Sequence, residues 1–158
     1  MIEPIRKEQL HTCLNILRLG YEKTAVEFGM TEANCPYRGR TCLPYQVFEN
    51  EHNSGYLMYG YTCDEKIVGF LSLYREDKVM NVSDIVILPE YQNRGIGSSL
   101  MQFAVEKAKE LSFNRIAVGM VYDNIPLRIC YEKKGFQTVK LINFATVTYT
   151  VGNMEMKI

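Results

Sequence analysis

Hydrophobic and polar positions along the chain change their period several times, and each change marks an element. Residues 2–6 read as a short first strand. Leu10, Cys13, Leu14 and Leu17 then fall at i, i+3, i+4 and i+7, an amphipathic helix that Gly20 is expected to end. Residues 29–53 are irregular, with a short helix expected after Pro44, a residue suited to a first helical turn. Residues 55–63 and 67–74 are rich in Tyr, Val and Phe, and Asp64-Glu65-Lys66 between them predicts a hairpin. A second turn at residues 75–78 leads into a third strand of the same meander, residues 79–88.

In that third strand strict alternation puts Met80, Val82, Asp84, Val86 and Leu88 on one face, leaving Asp84 as a carboxylate in an apolar stripe. Residues 95–111 form a long helix with Ile96, Leu100, Ala104, Ala108 and Leu111 along one side. Residues 115–121 are another strand. Asn124 offers an N-cap with Pro126 in the first turn, and the helix it opens closes at Lys133-Lys134-Gly135-Phe136, cations followed by a left-handed glycine. The tail ends in strands, where Met154, Met156 and Ile158 alternate with Glu155 and Lys157. The predicted class is α/β: a mixed sheet with helices on both faces.

A chain of 158 residues is long enough for one domain with a real core. Its 18 basic and 18 acidic residues cancel, so the footprint of a general nucleic-acid binder is missing. No apolar run approaches the ~20 residues that cross a bilayer, and MIEPIRKEQL lacks a signal-peptide pattern. These features read as a cytoplasmic protein with neither nucleic acid nor membrane as partner. The five cysteines are irregularly spaced without a Cys-x-x-Cys pair, which favours free thiols over disulfides or a metal site.

The residues richest in chemistry are QNRGIGSS, 92–99, between a strand and a helix. A helix start presents unpaired N–H groups and a partial positive charge, and glycines remove the Cβ atoms that would hold a phosphate away. Arg94, Ser98 and Ser99 add a charge and hydroxyl donors. Two readings are open: a pyrophosphate-sized anion bound there, or a helix that simply needed a tight start. A P-loop is excluded because no Gly-Lys-Ser/Thr is present, and Leu100 stands where a dinucleotide fingerprint needs a small residue.

Gln92-x-x-Gly95-x-Gly97, after a strand that runs into Ile-Leu-Pro-Glu-Tyr, resembles the acetyl-CoA motif of the GNAT acetyltransferase superfamily. DNIPLRICYEKKGF, residues 123–136, is similar to that family's second signature. Both occur in the family's order, and the succession of elements agrees along nearly the whole chain. The resemblance implies a GNAT fold of about seven strands, mostly antiparallel, with a splayed central parallel pair. It implies acetyl-CoA as co-substrate, its pyrophosphate on the N–H groups of Asn93, Arg94, Gly95, Ile96, Gly97 and Ser98. The pantetheine arm would pair with Ile85, Val86 and Ile87 and touch Asn124, which equally serves as an N-cap. It carries the family's general acid onto Tyr131. A homodimer through the C-terminal strands is compatible with the family.

Acetyl transfer to an amine needs a neutral amine, a polarised carbonyl and a proton or charge for the departing thiolate. A phenol keeps its proton at neutral pH. Tyr131 lies two turns after Asn124, so the two share a helix face, although packing against Leu127 would explain the tyrosine equally. Cys130 sits about 100° further round the helix and is expected in the core. For the base, Asp84 is the candidate, through a raised pKa or as an anion holding a cationic amine; a satisfied buried carboxylate, or one turned out by a bulge, are the alternatives. Some relatives use a glutamate on the next strand, where this chain has Gly119. The acceptor side would use residues 29–53 and their neighbourhood, with Phe28, Tyr37, Arg38, Arg40, Tyr45 and Phe48. Tyrosines with two arginines suit a small anionic or aromatic molecule, or a loop packing its own aromatics over the sheet. The expected acceptor is a small-molecule amine, with a protein N-terminus or lysine as the alternative and a non-catalytic acetyl-CoA-binding module as the reading from another class.

Overall fold

The computed structural model describes residues 1–158. In chain order the elements are β1 (Ile2–Pro4), α1 (Leu10–Glu27), α2 (Tyr45–Asn53), β2 (Leu57–Cys63), β3 (Lys66–Glu76), β4 (Val79–Ile87), α3 (Ile96–Glu110), β5 (Arg115–Val121), α4 (Ile125–Lys133), β6 (Gln137–Ile142) and β7 (Val151–Lys157). The strands form one sheet in the order β1-β2-β3-β4-β5-β7-β6. Only β4 and β5 are parallel, and they pair only over Met80–Val82 and Ile116–Val118 before diverging. α2 covers one face, with Phe48 against Phe70 at 5.5 Å. α3 covers the other, with Ile96 and Leu100 against Gly69.

Gly20 does not end the first helix; α1 continues to Glu27. The glycine serves packing instead. A Cβ there would meet the Val86 side chain and stand 3.2 Å from the Ile87 carbonyl, so its absence lets α1 lie directly on β4. Pro44 is the N-cap of α2 rather than its first helical residue.

The strict alternation expected along β4 also fails. Leu73 of β3 pairs with Val82 while Ser72 pairs with Asp84, so Ser83 is an extra, bulged residue. A bulge reverses the side-chain parity of the residues beyond it. Met80 and Val82 face α3, whereas Asp84 and Val86 face α1. All remain buried because the sheet is covered on both sides here. The bulge lies where β4 leaves β5, bending the strand away and opening the slot on which the site is built.

The chain between α1 and α2 holds an unusual turn. Tyr37, Arg38, Gly39 and Arg40 have φ of 52, 47, 59 and 73°, four consecutive left-handed residues. Each non-glycine residue there costs about 1–2 kcal/mol, so surrounding contacts must hold the turn. Arg38 donates to Glu22 Oε2 at 2.7 Å and to the Met30 carbonyl at 3.2 Å. Arg40 reaches across to both α2 and β4.

Candidate active site

Two openings meet at the slot between β4 and β5. The first is a groove of about 250 Å³ on the α3 side, lined by Ile85, Ile87, Gln92, Asn93, Gly95–Ser98, Leu127 and Tyr131 among others. Its floor is the unpaired edge of β4. Its end wall is the start of α3, where none of the backbone N–H groups from Asn93 through Ser98 donates a hydrogen bond within the chain. Asn93 and Gly95, both on the groove wall, have φ of 61 and 82°, the left-handed conformation that makes backbone N–H concavities. A Cβ at Gly95 would meet nothing within 4 Å, and one at Gly97 would touch only Ile87 Cδ1, at 3.4 Å. The first turn of α3 carries no acidic residue and no side-chain cap. Open donors, missing Cβ atoms and the helix dipole together fit a pyrophosphate, and the free β4 edge fits an amide-bearing arm.

The sequence candidates divide among different tasks. Ile85 and Ile87 line the groove, whereas Val86 points to the opposite face under α1. Gln92 donates to the Ile87 carbonyl at 3.0 Å and fixes the strand end. Arg94 folds back on the Glu90 carbonyl at 2.9 Å and over the Tyr91 ring at 5.1 Å. Asn124 accepts from Leu127 N at 3.4 Å as an N-cap and lines the second opening instead of the first. Lys134, in sequence only a helix-end cation, reaches Ser98 Oγ at 3.0 Å and overhangs the groove. Cys130 is exposed along the groove, not in the core. Only the contact between α3 and α4 identifies these last two.

The second opening, about 450 Å³, lies on the far side of the slot. Tyr21, Met30, Arg40, Met120 and Tyr149 surround it, and Gly119 forms part of its wall. Phe28 meets the Tyr149 ring edge-on at 6.1 Å, and the Tyr149 hydroxyl donates to Cys35 Sγ at 3.5 Å. Residues from the α1–α2 connection and the segment before β7 thereby close over the cavity.

Tyr131 borders both openings. Its ring packs on Phe136 at 5.6 Å and is 6% exposed. Burial, with the Cys130 thiol as a smaller cause, pushes its phenol well above the usual value. It keeps its proton at neutral pH until a strong negative charge develops beside it.

Asp84 is 1% exposed beneath the second cavity. Arg40 Nη2 donates to Oδ2 at 2.9 Å, and Arg40 Nε stands 2.8 Å from Oδ1 without hydrogen-bond alignment. The Tyr21 hydroxyl donates to Oδ1 at 3.1 Å. Arg40 also grips Glu51 with two bonds of 3.0 and 2.9 Å. Burial raises the Asp84 pKa above the usual carboxylate value, Arg40 pulls it down and Glu51 pushes it up again. Neither arginine of the α1–α2 connection is free for an anionic acceptor. Of the aromatics, Tyr45 stacks on His11 of α1 at 3.8 Å and Phe48 is fully buried against Phe70 of β3, so these rings serve packing on the first helix and the sheet.

This architecture agrees with comparisons to known proteins. The sequence profile of the acetyltransferase (GNAT) family matches residues 26–136. The chain belongs to that family. A Bacillus subtilis (strain 168) protein, provisionally named a ribosomal protein bS18-alanine N-acetyltransferase, is 28% identical over 74 residues, 47% of this chain. The chain spans about half of that relative's length, 49%. The crystal structure of the Escherichia coli ribosomal-protein-S18-alanine N-acetyltransferase superposes with a TM-score of 0.80 at 15% identity, covering 100% of this chain and 93% of the other. PaiA N-acetyltransferase from Thermoplasma acidophilum, solved in complex with coenzyme A, gives 0.77 at 18% identity, with 100% and 98% covered. The fold is the GNAT fold, with the splayed parallel pair β4–β5 at its centre. No helix is long and apolar enough to cross a membrane.

Proposed function

We propose that the protein moves an acetyl group from acetyl-CoA to a primary amine carried by a small molecule. The observation that supports this best is Tyr131, whose buried side chain borders both the groove at the α3 N-terminus and the cavity beyond the slot. Bound acetyl-CoA supplies the acyl thioester. The N–H groups of Asn93–Ser98 hold its pyrophosphate, with Lys134 adding positive charge, and the β4 edge at Ile85 and Ile87 aligns the arm toward the slot. Tyr131 gives its proton to the sulfur that leaves as the amine nitrogen takes the acetyl carbon, and so favours the departure of a neutral thiol.

A small acceptor is favoured by the second cavity, whose volume is in the ordinary range for small-molecule sites and whose wall includes Met30 and Tyr149, with Phe28 packed behind them. Acetylation of a protein N-terminus is the second reading, favoured by the names of the B. subtilis relative and the E. coli structure. The deciding experiment measures coenzyme A release from acetyl-CoA with phenethylamine, spermidine and an alanine-ended peptide as acceptors. Preference for the peptide would replace the first reading by the second. Binding of acetyl-CoA with no transfer to any amine would point to a non-catalytic module.

A further inference from the structure

The lining of the acceptor cavity, Gly119 included, holds no carboxylate and no imidazole, so the proton that the amine must lose needs another acceptor. We propose that Tyr21 and Asp84 form a proton relay that takes this proton, with Tyr21 the group that meets the amine. This relay rests on the acetyl-transfer reading.

Three observations carry it. Tyr21 lines the acceptor cavity and its hydroxyl donates to Asp84 Oδ1 at 3.1 Å, so a ready hydrogen bond leads from cavity to carboxylate. The cluster around that carboxylate holds a surplus charge: two carboxylates, Asp84 and Glu51, share one guanidinium, Arg40. One added proton neutralises it. Finally, Arg40 uses its aligned bonds on Oδ2 and on Glu51, leaving Oδ1 with Tyr21 as its only aligned donor.

The groups facing Asp84 come from several elements: Tyr21 of α1, Arg40 of the left-handed turn, Glu51 of α2, Ser83 of its own strand at 3.4 Å, and, further off, the Tyr56 phenol just before β2. Ser72, opposite in register on β3, is buried with a hydroxyl that has no partner. Burial raises both Tyr21 and Asp84, which keeps Tyr21 protonated and makes Asp84 a better acceptor than an exposed aspartate. The left-handed turn ends at Arg40, whose guanidinium bridges α2 and β4 through Glu51 and Asp84.

Every proton has a destination. An ammonium N–H proton passes to Tyr21 Oη while the Tyr21 proton passes to Asp84 Oδ1. The neutral amine attacks, Tyr131 protonates the leaving sulfur, and the second nitrogen proton restores the Tyr131 phenol. Asp84 returns its proton through Tyr21 to solvent after product leaves.

The test is the pH dependence of kcat/KM for the fastest amine in the acceptor set, for wild type, Tyr21→Phe and Glu51→Gln. Tyr21→Phe should be slower by about 10²-fold at low pH, with the deficit shrinking over about pH 6.5 to 9.5 as more amine arrives neutral. Glu51→Gln, which removes the surplus charge but leaves Tyr21 in place, should lose rate in the same pH-dependent sense. Both variants should titrate with acetyl-CoA as wild type does, which separates the relay from a folding defect. A deficit in Tyr21→Phe that stays constant with pH, or no deficit, would overturn the relay while leaving acetyl transfer intact. A wild type that binds acetyl-CoA and acetylates none of the amines would overturn the transfer reading and the relay with it.

Discussion

Replacing Gly20 by alanine sets helix propensity against packing at the strand that bears the site. In an exposed helix the change would stabilise by about 1 kcal/mol. Here the added methyl is driven into the Val86 side chain, with Val86 Cβ at 3.3 Å and the Ile87 carbonyl at 3.2 Å. The valine is β-branched, 3% exposed and unable to swing away without leaving its rotamer. The carbonyl belongs to β4 and cannot move without disturbing the sheet. Overpacking of this kind costs about 1–3 kcal/mol, and with a β-branched side chain and a strand carbonyl both in the way the upper part of that range, about 2–3 kcal/mol, applies, so the net effect should be a loss of about 1–2 kcal/mol after the propensity gain. For a chain of this length that lowers Tm by about 3–6 °C. Urea unfolding would give the free energy, and the double variant Gly20→Ala/Val86→Ala should lose less than the sum of its singles because the second change vacates the space the first invades. Acetyl-CoA affinity should fall alongside, since the clash strains Val86 and the Ile87 carbonyl, which belong to the β4 edge. A Gly20→Ala protein as stable as wild type, or more stable, would refute a role for this glycine in helix–strand contact.

Other perturbations address the site. Tyr131→Phe keeps the ring against Phe136 and should lower kcat by about 10²-fold with acetyl-CoA affinity unchanged; unaltered turnover would remove the acid. Gly97→Glu meets only Ile87 Cδ1, so the fold should persist and the helix start even gain slightly from the new charge, while acetyl-CoA binding falls by more than about tenfold in calorimetry. Binding near the wild-type value would show that the N–H groups at the α3 start are not the anion site. Asp84 has a folded-state pKa raised above the ordinary aspartate value of 3.8, chiefly by burial, so the native state binds its proton more tightly than the unfolded chain. Its contribution to stability therefore declines as pH rises from that value through the folded pKa. The difference in unfolding free energy between Asp84→Asn and wild type should shift in favour of the asparagine across that window and then level off; a difference independent of pH would refute the raised pKa.

Much of the fold was legible in the chain, and the physical reason is locality. The hairpin around Asp64 and Glu65, both with positive φ, the strand Arg115–Val121, the Asn124 cap and the left-handed Gly135 depend on a few neighbouring residues. So does the glycine-rich start of α3, because unpaired donors and absent Cβ atoms are properties of the segment itself. Tertiary structure decided whatever depends on distant partners. Gly20 continues a helix because β4, some sixty-five residues later, requires its missing side chain. The Ser83 bulge exists only in the pairing with β3, and it alone turns Asp84 away from Val82's face toward α1. Two arginines that looked free for an anion are held by Glu22, Glu51 and Asp84, and Lys134 meets Ser98 across two helices. The sequence by itself determined most of the elements, the glycine-rich turn with its open donors and the position of the tyrosine on its helix. Only the folded sheet, by splaying two parallel strands beside a bulge, decided which side chains share a cavity and so which can exchange a proton.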